Sequence, residues 1–239
     1  MRYAIFSDIH GNSRALQACL DDLDAQGGAE VVVGAGDYCL DGPRPAEVLE
    51  MLTRRGAKML RGNTDRYVCS EPLALFDNEE AERIAWTRRE LGERWLTFLR
   101  ELPASLTFED GLHVFHANPL TDDEHVWPDA DDATLEHYFG EVPETIVIFG
   151  HLHLPYVRTW RGRTLVNVAS VGIPKDTDLR AAYTILTRRE SGWEIKQRRV
   201  DFDRDKVVRQ LRKSGMPNVK DVIKTFERAR YGRISGPVP

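Results

Sequence analysis

The stretch that decides the fold is Ala4-Ile5-Phe6-Ser7-Asp8-Ile9-His10-Gly11-Asn12, close to the N-terminus. Its apolar run stops at Ser7, which is typical of a buried strand that passes into a polar loop. Asn12 or Ser13 then provides an N-cap, and Gly27-Gly28 provides a stop signal. Between these signals apolar side chains recur at the spacing of one helix face, at Leu16, Cys19, Leu20 and Leu23. The stretch therefore predicts a strand, a polar loop and a helix.

The same order of strand, polar loop and helix continues along the chain. Val31–Val33 runs into Gly36-Asp37, a helix with an apolar face follows, and residues 57–60 run into Gly62-Asn63. Alternating strands and helices are the signature of an α/β sheet. Further strands are predicted at 106–108, 112–115, 145–149, 156–160, 164–168, 181–186 and 193–200, two helices within 79–101, and two short helices after 203. We expect a single domain over residues 1–239, with two sheets packed face to face and helices outside.

Composition and charge narrow the class of protein. The chain has 239 residues, 41% of them hydrophobic and 30% charged, which is an ordinary globular mixture. Its 33 basic and 38 acidic residues give a formal charge of -5, so bulk attraction for nucleic acid is not expected. Cys19, Cys39 and Cys69 form no CxxC pair, and no window suits a signal peptide or a membrane span. We therefore expect a cytoplasmic protein that binds neither a membrane nor long nucleic acid.

Polar side chains suited to metal binding follow the predicted strands. They are Asp8, His10, Asp37, Asn63, His116, His151 and His153. Loops beyond the carboxyl ends of strands gather at one edge of an α/β sheet, so we expect these side chains to converge. Imidazole, carboxylate and amide ligands without a thiolate suit Mn, Fe, Zn or Ni. A carboxylate such as Asp37 can bridge two divalent ions, which together activate a water for attack on a phosphoryl group.

Each of these residues also has an ordinary structural explanation. Asp8 is compatible with a helix-capping acid, Asn63 with a turn residue, and His116 with a packed histidine at a strand end. The metal interpretation depends on the joint pattern, because the suitable side chains recur in order and always after a strand.

Several motifs resemble those of the calcineurin-like metallophosphoesterases. Asp8-Ile9-His10-Gly11-Asn12 is similar to the family's D-x-H-G-N, Gly36-Asp37 to G-D, and Gly62-Asn63-Thr64-Asp65 to G-N-H-D. His116-Ala117 stands where the family has H-G, and Gly150-His151-Leu152-His153 matches G-H-x-H. Asn167–Gly172 resembles the N-P-G-S-V-G that follows. The resemblance runs from residue 1 to about residue 200 and is nearest to the small prokaryotic phosphodiesterase-like branch.

This resemblance implies a fold, a cofactor and a set of roles. The implied fold is a four-layer α-β-β-α sandwich with two mixed β-sheets flanked by helices. The implied cofactor is a pair of divalent metal ions, with manganese favoured. One ion would be held by Asp8, His10, Asp37 and His153, and the other by Asp37, Asn63, His116 and His151. Asp37, Asn63, Thr64 and Asp65 form the implied catalytic set.

Departures from the family pattern bear on catalysis. Thr64 replaces a histidine that helps the leaving oxygen depart, and a hydroxyl is a poor acid near neutral pH. Asp65, which would orient that histidine, is present, and Ala117 replaces a glycine. His125, in the acidic loop 121–132, is a hypothetical replacement acid or substrate contact, with a solvated loop histidine as the ordinary alternative. Further candidate substrate contacts, chosen by their positions in the motifs, are Asn12, Tyr38 and Arg66.

The expected activity is metal-dependent hydrolysis of a small phosphodiester. Alternatives are a phosphomonoesterase, including a protein phosphatase, and a dinucleotide polyphosphate hydrolase. Residues 36–42 lack the arginine of the protein phosphatase motif G-D-x-V-D-R-G, which favours the diesterase. The acidic loop argues against a DNA nuclease, because it would repel a long polyanion. A non-catalytic interaction module is a further alternative, which the filled ligand positions disfavour. The oligomeric state is left open.

Overall fold

Two five-stranded sheets organise the protein, seen here in a computed structural model that describes residues 1–230. The strands are β1 (Arg2–Phe6), β2 (Val31–Gly34), β3 (Lys58–Met59), β4 (Ser105–Phe108), β5 (Leu112–Phe115), β6 (Ile146–Phe149), β7 (Pro155–Trp160), β8 (Arg163–Val168), β9 (Ala181–Arg189) and β10 (Gly192–Val200). The helices are α1 (Ser13–Ala25), α2 (Pro45–Arg54), α3 (Asn63–Cys69), α4 (Asn78–Glu101), α5 (Asp132–Phe139), α6 (Arg204–Lys213) and α7 (Val219–Arg228), with a 3-10 turn at Leu73–Leu75. The C-terminal tail Ser235–Pro239, whose composition predicts fraying, lies outside the described residues.

Both sheets are mixed, as the family resemblance implied. The first has the order β10-β9-β1-β2-β3, in which β1, β2 and β3 are parallel, β9 is antiparallel to β1, and β10 is antiparallel to β9. The second has the order β4-β5-β6-β8-β7, with β5, β6 and β8 parallel between antiparallel outer strands. Parallel strands end at the same edge, so the loops after β1, β2 and β3 meet, as do those after β5 and β6.

Alternation along β1 explains the layers. Tyr3 and Ile5 pack between the two sheets, while Ala4 and Phe6 pack against the cluster that includes α1, α2 and α4. On the far side of the second sheet, α5 covers β6, and the rings of Phe139 and Phe149 lie 5.6 Å apart. The order is therefore helix, sheet, sheet, helix, and the predicted four-layer sandwich is confirmed.

Two helices were not expected from the sequence. Helix α5 begins in the acidic run that we interpreted as loop, where Asp131 accepts a hydrogen bond from the backbone N–H of Thr134 at 2.8 Å. Acidic residues at a helix N-terminus favour the helix by capping and by the dipole, so the run marks a helix start rather than a loop. Helix α3 begins directly at Asn63, for which a turn residue was the ordinary structural explanation.

The remaining helices follow the prediction more closely. Asn78–Glu101 contains the two expected helices, which meet at Gly92, where φ is +67°. Asn12 is the N-cap of α1, since its side chain accepts the N–H of Ala15 at 3.0 Å. After β10, α6 and α7 pack around Trp86 of α4. The helices found among residues 1–230 are too short or too polar to cross a bilayer.

Candidate metal centre

The seven predicted ligands lie together at the carboxyl ends of β1, β2, β3, β5 and β6. They form two groups, Asp8 with His10 and His153, and Asp37 with His116 and His151, and the ligand atoms within each group lie within 4.8 Å of one another. Asn63 belongs to the second group, because its Oδ1 lies 2.9 Å from Nε2 of His116. The convergence that we predicted from strand ends is therefore present in the fold.

Asp37 lies between the two groups. Its Oδ2 is 3.7 Å from Nε2 of His10, and its Oδ1 is 3.4 Å from Nε2 of His116. Each oxygen thus faces a different group, which is the arrangement required of a bridging carboxylate. Three histidines present Nε2 inward, because Nδ1 of each bonds to a backbone carbonyl. The bonds join His10 to Leu40 O at 3.0 Å, His116 to Ala35 O at 2.8 Å, and His153 to Ile173 O at 2.5 Å.

The inward-facing atoms are mostly hydrogen-bond acceptors. Since carbonyl groups take the Nδ1 proton of His10 and His153, their Nε2 lone pairs face each other at 3.4 Å. Nε2 of His153 also lies 3.1 Å from Oδ1 of Asp8, a buried oxygen that accepts no hydrogen bond within residues 1–230. Acceptors that face one another repel unless a cation lies between them. These residues therefore fit divalent metal ions.

Burial and charge reinforce this fit. Asp8 and Asp37 are 0% and 2% exposed, and their ion-pair partners at the centre are histidines. Burial lowers the pKa of His116, but the carboxylate of Asp37 outweighs it and raises that pKa to about 10. Burial opposes ionisation of Asp37, but the charge of His116 holds its pKa below the ordinary range. Without metal the pair is thus ionised, and His116 would have to lose its Nε2 proton in order to hold a cation.

The backbone of the ligand loops adopts a conformation that is rare outside glycine. Five ligands have positive φ: Asp8 at 53°, His10 at 48°, Asp37 at 58°, His151 at 63° and His153 at 60°. Such left-handed residues persist when surrounding structure holds them, and they cluster at functional sites. Backbone bonds between loops hold them here, because Asp37 O accepts the N–H of His10 at 3.0 Å and Asp8 O accepts the N–H of Gly172 at 2.9 Å.

Close approach of loops explains two motif glycines. A Cβ at Gly62 would lie 2.2 Å from Oδ1 of Asp37, and a Cβ at Gly36 would lie 2.6 Å from Nδ1 of His116. Gly36 also has φ of +92°. Each glycine therefore lets one ligand loop pack directly against another ligand.

Asp65 fixes the loop that carries the bridging carboxylate. Its carboxylate accepts backbone N–H groups of Asp37 at 2.8 Å, Tyr38 at 2.9 Å and Gly62 at 3.1 Å. Burial, with Asp37 nearby, raises the pKa of Asp65 to about 7. Asp65 is therefore a positioning residue for the loop, where the sequence suggested a partner of a histidine.

Thr64 lies beside the bridging carboxylate. Its backbone N–H donates to Oδ1 of Asp37 at 3.0 Å, and its Oγ1 is buried without a hydrogen-bond partner among residues 1–230. Asn12 and Tyr38, predicted as substrate contacts, are instead completely buried. Asn12 caps α1 and donates to Gly172 O at 3.3 Å, and the Tyr38 hydroxyl donates to Leu60 O at 2.7 Å. Their polar atoms are engaged within the fold, which argues against direct contact with substrate.

Arg66 is also held by the protein. Its guanidinium binds Asp122 through two bonds of 2.9 and 2.7 Å and also contacts Glu71 and Asp123. Three carboxylates around one guanidinium leave little positive charge for a phosphate, so Arg66 anchors the acidic loop to α3. The loop borders the centre, because Asp123 O lies 2.9 Å from Nε2 of His151. This contact leaves Nδ1 of His151 for the second group.

His125 lies at the edge of the centre, with its ring 4.4 Å from that of His151. Burial, assisted by the charge of His151, lowers the pKa of His125 to about 4. Its imidazole is therefore neutral at pH 7, which argues against the role of leaving-group acid and leaves that of a substrate contact. His113 lies apart from the centre and bonds to Glu144 at 3.0 Å.

Sequence reasoning missed Lys175. Its backbone N–H donates to His153 O at 3.2 Å, and burial lowers the pKa of its side chain against the opposing attraction of Asp8 and Asp37. A cation therefore lies near the first group. The signal available was its position just after the Asn167–Gly172 motif.

A cavity of 390 Å³ opens beside the second group. Its lining includes His116, Arg61, Ser105, Asn118 and Asp122. A cavity of this size suits a small ligand.

Comparison with known proteins agrees with the geometry. A family model described as the calcineurin-like phosphoesterase superfamily domain matches residues 1–191. The uncharacterized protein MJ0912 of Methanocaldococcus jannaschii is 30% identical over 237 aligned residues, covering 90% of this chain and 93% of that protein. A metallophosphoesterase from Sphaerobacter thermophilus has a similar structure, with a TM-score of 0.80, 24% identity, and coverage of 96% of this chain and 99% of that chain. The hypothetical protein PH1004 from Pyrococcus horikoshii OT3 has a TM-score of 0.85, 19% identity, and coverage of 95% and 98%. The chain belongs to the calcineurin-like phosphoesterase superfamily.

Proposed function

We propose that this phosphoesterase is a dinuclear metal-dependent phosphodiesterase that hydrolyses small phosphodiesters. The observation that carries the proposal is that the two groups of ligands lie on either side of Asp37, whose two carboxylate oxygens each face one group. One ion would be held by Asp8, His10, Asp37 and His153, and the other by Asp37, Asn63, His116 and His151. Two such ions, when bound, polarise the phosphoryl group and activate water for attack. Manganese is the favoured ion, and Fe, Zn and Ni suit the same donors.

The protein's own groups position the reacting parts. Asp65 and the N–H of Thr64 fix the carboxylate of Asp37 between the two groups. The Thr64 hydroxyl has no partner in the described chain, which supports a role as a donor to a phosphoryl oxygen. Lys175, which interacts electrostatically with Asp8 and Asp37, and His125, whose ring lies 4.4 Å from that of His151, border the place where an anionic substrate would bind.

The surroundings of the centre favour a small substrate. The cavity beside His116 accommodates one arm of a diester. Its lining contains two acidic residues, Asp122 and Asp123, and two basic residues, Arg61 and Arg66. The lining therefore carries no net positive charge that would attract a long polyanion. A DNA nuclease is therefore disfavoured. The cytoplasmic location stays a prediction.

The diester is favoured over the monoester for an electrostatic reason. A monoester carries more negative charge at neutral pH, and its enzymes benefit from an arginine ligand. The loop after Asp37 carries no arginine before Arg44, and its Asp41 forms an ion pair with Arg83 at 2.8 Å. Thr64 also offers no acid for a poor leaving group.

The test compares hydrolysis of bis-p-nitrophenyl phosphate and p-nitrophenyl phosphate by the purified protein with Mn²⁺. We expect diester turnover to exceed monoester turnover and to disappear in Asp37→Ala. Asp129→Ala, which removes an exposed carboxylate of the acidic loop, is the matched control and should stay active. Dominant monoester cleavage would contradict the diesterase and leave the metal centre standing. Absence of hydrolysis with Mn²⁺, Ni²⁺, Fe²⁺ and Zn²⁺ would favour the interaction module.

A further inference from the structure

A basic pocket lies apart from the metal ligands, between α4, α6 and the loop before α2. It has a volume of 360 Å³, and its basic lining residues are Arg44, Lys206, Arg209 and Lys213. The one acidic side chain in the lining is Glu90. The pocket therefore carries a net charge of about three positive units.

The basic residues of α6 share one face of the helix. Lys206, Arg209 and Lys213 are spaced by three and four residues, so their side chains are neighbours. Val207 and Leu211, on the other face, are buried in the core. Like charges at this spacing repel one another and destabilise a helix unless a negative charge compensates them.

That compensation is weak within the protein. Among residues 1–230 no carboxylate forms an ion pair with Arg44, Lys206 or Lys213, and the Arg209 guanidinium reaches Asp203 only at 3.8 Å. Elsewhere on the surface, arginines such as Arg55 and Arg180 have close carboxylate partners. The pocket thus concentrates cations whose charge the protein leaves uncompensated.

The base of the pocket differs from its rim. Trp86 and Pro43 contribute buried apolar surface, and Trp86 is 4% exposed. Oε1 of Gln210, also in the lining, is buried without a hydrogen-bond partner in the described chain. A cationic rim over an apolar base with an unused acceptor suits a ligand with several phosphates and a less polar part.

We propose that this pocket binds a ligand with a di- or triphosphate chain, as a nucleotide or as inorganic polyphosphate. The phosphates would contact Lys206, Arg209, Lys213 and Arg44. The site is separate from the metal centre and does not depend on the proposed diesterase activity. It adjoins the ligand loop that carries His10, because the N–H of Arg44 donates to Gly11 O at 2.9 Å.

Isothermal titration calorimetry of the full chain in EDTA tests the proposal, with ATP, tripolyphosphate and adenosine as separate titrants. We expect ATP to bind and adenosine not to bind. Tighter binding of ATP than of tripolyphosphate would identify a nucleotide site, and equal binding an inorganic polyphosphate site. Both results support the pocket, whereas no heat from either phosphate at millimolar concentration would overturn it.

Charge reversal locates the binding. In Lys206→Glu/Lys213→Glu we expect the dissociation constant to rise by at least about tenfold, because charge-assisted contacts are lost and repulsion replaces them. Arg212→Glu reverses a charge on the same helix outside the pocket, and should change the constant by about twofold or less. An equal effect of the two changes, or no effect of the double variant, would contradict a site in this pocket. All of these side chains are exposed, so the variants are expected to fold.

Discussion

Replacing Gly62 by alanine tests whether the metal centre depends on the close packing of its loops. Gly62 has φ of -91°, which alanine adopts without strain, so the perturbation is purely steric. The new Cβ would lie 2.2 Å from Oδ1 of Asp37 and 2.5 Å from its backbone nitrogen. Real Cβ contacts are essentially never below 3.0 Å. The bridging carboxylate, its loop or α3 must therefore move by about 0.8 Å or more in a tightly packed interior.

The expected consequences are measurable in stability and in metal affinity. Overpacking of this kind costs about 1–3 kcal/mol of unfolding free energy, measured by urea denaturation in EDTA. Misplacing a bridging ligand should lower Mn²⁺ affinity by about 10–100-fold, measured by calorimetric titration of the metal-free protein. Diester turnover should fall with it.

Gly162→Ala is the matched control. Gly162 has φ of +78°, and a Cβ there would meet nothing within 4 Å, so alanine strains the backbone of the β7–β8 turn without touching the centre. We expect a stability loss of about 1 kcal/mol or more and unchanged Mn²⁺ affinity. Wild-type Mn²⁺ affinity in Gly62→Ala would refute the reasoning, as would an equal loss of affinity in the control.

Three further predictions concern charge, metal and the substituted histidine. The carboxylate of Asp22 binds Arg198 at 2.7 Å and Tyr183 at 2.7 Å, and the bond to Arg198 lowers the pKa of Asp22. Asp22→Asn should therefore lower the free energy of unfolding by about 1–3 kcal/mol between pH 8 and pH 5. A carboxyl group with a lowered pKa stabilises the fold at pH values above its pKa in the unfolded chain. The stability difference between wild type and variant, measured by urea denaturation, should therefore shrink below about pH 4. A difference that stays constant with pH would contradict this reasoning. Mn²⁺ at about 100 times its dissociation constant should raise the free energy of unfolding by about 2.7 kcal/mol, and EDTA should reverse the effect. An unchanged melting temperature would contradict a metal site in the folded protein. Thr64→Val should change stability by less than about 1 kcal/mol, because no hydrogen-bond partner of the hydroxyl is lost. It should lower kcat/KM for the diester by about tenfold. Unchanged kcat/KM would exclude the hydroxyl as a substrate contact.

The strands and the residues of the metal centre were predictable because both depend on local pattern. A buried apolar run that ends in Asp8, Asp37 or His151 is visible in the sequence, and parallel strands bring such ends together. The acidic N-terminus of α5 was a local signal too, but we read Asp131 and Asp132 as loop because a run of acids is also typical of solvated turns.

Side-chain direction and distant partners could not be read from the sequence. Tyr38 follows a ligand in the chain, yet its hydroxyl bonds to Leu60, on the side away from solvent. Arg66 looked free because Asp122, its main partner, is 56 residues away. Lys175 reaches the centre through the loop after β8, a contact that no local period encodes.

The left-handed ligands bear on the choice between an enzyme and a non-catalytic module. Each such residue costs about 1–3 kcal/mol, while a whole domain is stable by about 5–15 kcal/mol. Five ligand residues carry this cost, and the same loops bury carboxylates and place imidazole lone pairs against each other. A surface that served only to bind a partner would gain nothing from that arrangement, because relaxed loops with apolar side chains would be more stable. Bound cations turn each unfavourable contact into a ligand contact, so the energetics of the centre favour metal-dependent chemistry.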